Sequence, residues 1–471
     1  GGALQPLFDV GSVALFVHGI QWIGYTLHFP DWLTIFLAQG LGGGINTVLP
    51  LVPQIGMMYL FLSFLEDSGY MARAAFVMDR LMQALGLPGK SFVPLIVGFG
   101  CNVPSVMGAR TLDAPRERLM TIMMAPFMSC GARLAIFAVF AAAFFGQNGA
   151  LAVFSLYMLG IVMAVLTGLM LKYTIMRGEA TPFVMELPVY HVPHVKSLII
   201  QTWQRLKGFV LRAGKVIIIV SIFLSAFNSF SLSGKIVDNI NDSALASVSR
   251  VITPVFKPIG VHEDNWQATV GLFTGAMAKE VVVGTLNTLY TAENIQDEEF
   301  NPAEFNLGEE LFSAVDETWQ SLKDTFSLSV LMNPIEASKG DGEMGTGAMG
   351  VMDQKFGSAA AAYSYLIFVL LYVPCISVMG AIARESSRGW MGFSILWGLN
   401  IAYSLATLFY QVASYSQHPT YSLVCILAVI LFNIVVIGLL RRARSRVDIE
   451  LLATRKSVSS CCATSTTGDC H

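Results

Sequence analysis

The feature that most constrains this chain is a series of apolar runs long enough to cross a bilayer. A spanning helix needs about 20 predominantly apolar residues. Runs of that kind fall near residues 46–66, 117–146, 150–172, 209–230, 358–383, 389–412 and 421–440. Two more, near 92–108 and 266–288, are broken by glycine, proline or charge and read as re-entrant hairpins or broken helices. Residues 10–40 are apolar but irregular, fitting either a span or an interfacial helix, and 72–86 and 195–208 are amphipathic and read as interfacial. The composition agrees: 54% of the 471 residues are hydrophobic and 13% charged, where soluble domains carry roughly a quarter charged. Lipid is therefore the chain's surrounding partner. The net charge of −3 is too close to neutral to imply a nucleic-acid partner, and none is expected.

Basic residues set an orientation. Placing the tail Arg441–Arg446 inside puts Arg384 and Arg388, the Lys172–Lys215 group, Arg110, Arg116 and Arg118, and Arg73, Arg80 and Lys90 inside as well. This holds only if both broken segments enter and leave on one side. Residues 1–45 carry no Lys or Arg and fall outside. So does the segment 291–357, where fourteen acidic residues face Lys323, Lys339 and Lys355. It reads either as a solvated loop or as a vestibule that concentrates cations.

Two parts of the chain share a pattern. The first has VMGARTL (106–112) followed by PFMSCGAR (126–133), and the second has FTGAMAKEVVVGTL (273–286) followed by PCISVMGAIAR (374–384). Pro126 and Ser129 match Pro374 and Ser377. Starting from opposite sides, the two form an inverted repeat, which places a substrate site near the bilayer midplane. That favours a transporter over a receptor.

Pro104 and Pro126 cannot donate to the carbonyls of Gly100 and Ile122, and Pro374 cannot donate to that of Leu370. Beside these prolines stand Cys101, Cys130 and Cys375, with Asn102, Ser129, Ser377, Met107, Met128 and Met379 nearby. Thiol, thioether and carbonyl together suit a borderline or soft divalent metal better than Mg²⁺ or Ca²⁺. A membrane cysteine is ordinarily a small apolar filler, and Cys425 reads that way. Three thiols beside three matched prolines read as a path. Intramembrane charges mark gating or ion pairing: Lys279 and Glu280 in the second broken segment, then Arg133, Arg384 and Glu385. Glu280 is the candidate cation-attracting carboxylate, and Arg133 and Arg384 read as ion pairs that fix helices. The Ser/Thr-rich end, with Cys461, Cys462, Cys470 and His471, reads as a flexible tail with exposed thiols, a metal or redox site being the alternative. The stretch ALGLPGKS (84–91) imitates a phosphate loop but lacks the strand before it, and reads as a turn.

GFGCNVPSVMGARTL, APFMSCGARL, VPCISVMGAIARE, MAKEVVVGTL and the Cys-Cys…Cys-His tail resemble the membrane part of the bacterial ferrous-iron transport protein B family over nearly the whole chain. The resemblance implies an all-α polytopic protein with two inverted gate repeats of the nucleoside-transporter type. It also implies Fe²⁺ import across the inner membrane, with the C-terminus cytoplasmic and Cys101, Cys130 and Cys375 on the iron path. GTP and Mg²⁺ then belong to an N-terminal G domain that this chain, opening at Gly1-Gly2, does not include, and a first membrane helix is missing with it. The implied partners are the small Feo-system proteins A and C, and a homo-oligomer is compatible with the pattern. The expected division is an outer segment 1–45, a first gate repeat 46–175, a connector 176–208, a second repeat 209–415, a last helix 416–440 and a tail 441–471. The rival readings are a nucleoside or other small-molecule carrier on the same gate fold, and a membrane scaffold or receptor.

Overall fold

The computed structural model describes residues 5–30, 34, 37–176, 190, 193–215, 218–219, 222, 243–277, 279, 281–291, 307–325, 346–416 and 418–464. Among them every regular element is a helix. Among the described residues six helices are long and apolar enough to cross a membrane: Leu7–Thr26, Pro115–Phe144, Gly146–Thr174, Ala359–Glu385, Arg388–Ala413 and Pro419–Arg442. The irregular N-terminal run thus has the length of a span. The run expected at 46–66 is shorter than a span: Pro50 caps a 17-residue helix, α1 (Leu51–Asp67). The run expected at 209–230 lies mostly outside the described residues.

α2 (Tyr70–Leu85) is the first amphipathic segment and ends at Gly86, whose φ of 78° is open to glycine at little cost. Asp79 Oδ1 accepts from the Gly89 N–H at 2.8 Å, so the stretch that imitates a phosphate loop is a capped turn. A hairpin follows, α3 (Phe92–Val97) and α4 (Asn102–Gly108), and then a broken span, α5 (Pro115–Met124) and α6 (Gly131–Phe144). The unbroken span α7 (Gly149–Thr174) closes the first unit, and α8 (Val195–Phe209) packs along α1. The order then repeats. The second hairpin is α9 (Trp266–Met277) and α10 (Val281–Thr291), and the second broken span is α11 (Ala359–Leu371) and α12 (Ile376–Glu385). The unbroken span α13 (Arg388–Ala413) ends the second unit, and α14 (Pro419–Thr464) follows it.

The two units clasp each other reciprocally. The second arm of each hairpin packs on the second half of the other unit's broken span: α4 on α12, and α10 on α6. Between lipid-embedded helices the driving force is close packing, so small residues belong where backbones meet. A Cβ on Gly160 of α7 would come 2.9 Å from the Phe127 carbonyl oxygen. One on Gly398 of α13 would come 3.2 Å from that of Leu371. In each unit the unbroken span therefore lays a glycine against the break of its own broken span. The shared core includes Phe140 stacked on Tyr365 at 5.4 Å, with Phe356 edge-on to both.

α14 runs on through the backbone of Cys461 and Cys462, where a flexible tail is expected. The physical reason is composition: from Arg441 to Thr464 there is no Gly or Pro, and Arg, Leu, Ala and Glu favour helix. The side chains of Cys461 and Cys462, and all of Cys470 and His471, lie outside the described residues. Of the acidic segment, the helix Leu307–Thr325 packs against the N-terminal helical stretch, with the Glu310 carboxylate 2.9 Å from His18 Nδ1.

Candidate functional site at the helix breaks

Three breaks carry the three thiols, and in each the cysteine is the residue immediately before a helix. Cys101 (φ −154°, ψ 132°) precedes α4, Cys130 (φ −82°, ψ 165°) precedes α6, and Cys375 (φ −60°, ψ 156°) precedes α12. At that position the backbone is extended and the side chain stands beside the helix's first unpaired N–H groups. None of the three prolines lies past the first turn of an α-helix. Pro104 is in the first turn of α4, Pro126 is in a single 3₁₀ turn (Ala125–Phe127), and Pro374 comes just before Cys375. A missing N–H is harmless in a first turn. Freeing of the Gly100 carbonyl is therefore corrected: that oxygen accepts from the Gly131 N–H at 3.3 Å. The bond also makes neighbours of Cys101 and Cys130, each adjacent to one of its ends.

Polar contacts hold the first two breaks. Arg133 is fully buried, and its Nη1 donates to the carbonyls of Pro126 (3.0 Å) and Met128 (2.9 Å). Its Nε and Nη2 are also buried and find no hydrogen-bond partner among the described residues. The ion pair expected of it is thus replaced by main-chain carbonyls. Asn102 is buried with its amide nitrogen 3.3 Å from the Met128 carbonyl. Ser105 Oγ donates to the Pro94 carbonyl at 2.7 Å and ties the hairpin shut.

The second unit approaches from the other side. Lys279, between α9 and α10, is buried, with its Nζ 5.0 Å from the ring centroid of Tyr372. Tyr372 ends α11 and lies within electrostatic range of both Arg133 and Cys375. Tyr157 of α7 stands in the same relation to Cys130 and Arg133, beside buried Ser129. Glu280 lies outside the described residues. Cys101 and Cys375 are half-buried against the core, and all three path cysteines are unbridged. Met107 and Ser377 line a cavity described below, and Met379 is half-buried one turn into α12. Arg384 does not pair with Glu385. Its Nε donates to the Gly380 carbonyl, whereas Glu385 joins the two units by accepting from Arg110 Nε (2.9 Å) and Arg118 Nη2 (2.7 Å).

Among the described residues no three His, Cys, Asp or Glu side chains converge to hold a metal ion. The three thiols lie one at each break, Cys101 and Cys130 on either side of the Gly131–Gly100 bond. The sequence reading misses Tyr157, Tyr372 and the Gly160/Gly398 pair. Only the glycines carry a signal in the sequence, each being a small residue inside an otherwise bulky apolar run of the same unit position.

A family model described as Gate, "Nucleoside recognition", matches residues 48–144 and 210–388. One described as "Ferrous iron transport protein B C terminus" matches residues 153–205. The chain is 99% identical over its whole length to the Fe(2+) transporter FeoB of Shigella flexneri and 94% identical to that of Salmonella typhimurium, spanning 61% of each relative. It is 48% identical over 452 residues to the FeoB of Legionella pneumophila, covering 94% of this chain and 59% of that protein. No solved structure matches it. The chain belongs to the Gate family of membrane proteins, in its ferrous iron transport protein B branch.

Proposed function

We propose that this chain is the permeation unit for Fe²⁺ import across the bacterial inner membrane, working with a GTP-hydrolysing domain carried elsewhere in the whole protein. The observation that carries the reading is the placement of Cys101, Cys130 and Cys375, each at the start of a helix where one of two clasped units is broken. The relatives' names, Fe(2+) transporter, support the choice of metal. Fe²⁺ is cargo here. Entering from the acidic outer side, it passes Cys375 and Cys101 with Cys130 beside them, and each thiol together with nearby oxygens replaces part of the ion's hydration shell. The basic loops favour a cytoplasmic C-terminus. The Feo-system proteins A and C, and a second copy of the chain, belong to this reading as partners.

Thiol labelling tests it. In membranes holding the full-length protein, Fe²⁺ under anaerobic conditions is expected to protect Cys101 and Cys375 from a small maleimide, whereas Mg²⁺ does not. Equal protection by both ions, or by neither, contradicts a thiol path. Protection by nucleosides would favour a nucleoside carrier.

A further inference from the structure

A cavity of about 690 Å³ opens beneath the breaks, between α1, α2, α4, α8 and α12. Its inner end reaches Val103, Met107 and Ser377, next to the thiol-bearing turns. Leu62, Met71, Ala75 and Phe209 make one wall apolar. Its mouth is basic: Lys90, Arg110, Arg205 and Arg384 line it against a single carboxylate, Glu66.

The ion pairs leave charge over. Glu66 is taken by Arg205 at 2.9 Å, and Arg110 is taken by Glu385. Lys90 lies 3.7 Å from Asp113, whose side chain is 93% exposed, so that pair is largely screened by water. Arg384 has no carboxylate partner among the described residues. A cation leaving the proposed path through this cavity would meet Lys90, paired only with an exposed carboxylate, and Arg384, which would repel it. An anion seated there would remove the barrier.

The depth of the mouth indicates which anion. α2 exposes Phe76, Val77 and Leu81, and α8 exposes Ile199, Ile200 and Trp203. Amphipathic helices with such faces lie at the membrane–water boundary, where phospholipid headgroups sit. Arginine and lysine bind phosphate oxygens through charge-assisted hydrogen bonds. We propose that this cavity binds a phosphate-bearing anion, with the phosphate between Lys90 and Arg384 and any acyl chains along the apolar wall. The role given to the anion rests on the iron-path reading, whereas its binding, which uses none of the cysteines, is tested separately.

The test uses full-length protein stripped of lipid in neutral detergent. It is titrated with dioctanoyl phosphatidylglycerol, dioctanoylglycerol and inorganic phosphate, and binding is read by calorimetry. Lys90→Gln with Arg384→Gln is expected to weaken phosphatidylglycerol and phosphate by about tenfold, and Lys90→Arg with Arg384→Lys to retain both. Ala72→Trp, on the apolar side, weakens the lipid alone if the ligand is a phospholipid. Phosphate binding without lipid binding assigns the site to a free phosphate ester. Two results overturn the proposal: unchanged binding in the double Gln variant, or dioctanoylglycerol binding as tightly as phosphatidylglycerol with no competition by phosphate. If the double Gln variant fails to fold, the unsubstituted protein still decides: dioctanoylglycerol must bind more weakly than phosphatidylglycerol, and inorganic phosphate must compete with the lipid.

Discussion

The two units share one order of elements but hold their breaks by different means. In the first, a buried guanidinium, Arg133, bonds the carbonyls of Pro126 and Met128, and the Gly131 N–H bonds Gly100 across to the hairpin. In the second, a buried ammonium, Lys279, faces the ring of Tyr372 at 5.0 Å. The first is held by directional hydrogen bonds within its own unit. The second has a cation–π contact reaching from hairpin to broken span, worth about 0.5–2 kcal/mol, and a hydrogen bond from the Tyr365 hydroxyl to the Ala268 carbonyl at 3.0 Å. One shared order of elements thus anchors its two breaks with different cations, a guanidinium on main-chain carbonyls in the first and an ammonium over an aromatic ring in the second.

The largest effect should come from removing the guanidinium that anchors the first break. Arg133→Met leaves buried carbonyls without a donor and is expected to destabilise the protein by about 3 kcal/mol. Thermal unfolding of the purified full-length protein measures this, and a change below about 1 kcal/mol would mean the guanidinium does not hold the break. Overpacking at the two glycines comes next. Gly160→Val and Gly398→Val should each cost about 2 kcal/mol, Gly160 more because its approach is closer. A reversed order in thermal stability would show that the second break is the tighter one.

Much of this contrast was legible in the sequence, for definite reasons. Glycine, proline and charge inside apolar runs marked both hairpins, and the Pro-x-x-Ser matches marked both broken spans, because these residues act locally on the backbone. The bond that occupies the Gly100 carbonyl was not legible, since its donor lies at Gly131 and is brought there by the turn between α4 and α5. Nor was the meeting of Lys279 with Tyr372, 93 positions away, or the choice of carbonyls over a carboxylate by Arg133. The start of α1 also escaped the reading, because hydrophobicity continues unbroken through the cap at Pro50. Proline position was half readable. A proline near a break is visible, but whether it interrupts a helix or begins one depends on where the chain turns.

Smaller effects refine the comparison. Glu385→Gln removes the charge that joins the two units through Arg110 and Arg118. Both arginines are partly exposed, so the expected loss is on the order of 1 kcal/mol, diminishing in salt. A salt-independent loss would place the pair deeper than its geometry indicates. Lys279→Met removes the cation–π contact and should change stability by about 0.5–2 kcal/mol while altering Fe²⁺ uptake, measured in cells lacking other iron importers. Unchanged uptake would leave Lys279 as packing alone.

The most direct test of the iron path is ⁵⁵Fe²⁺ uptake by the full-length protein with Cys101, Cys130 and Cys375 all replaced by Ser, at matched membrane abundance. The account predicts a fall of about tenfold or more, since serine offers a hard neutral oxygen where a soft thiolate should bind. Uptake equal to that of the unsubstituted protein would contradict it.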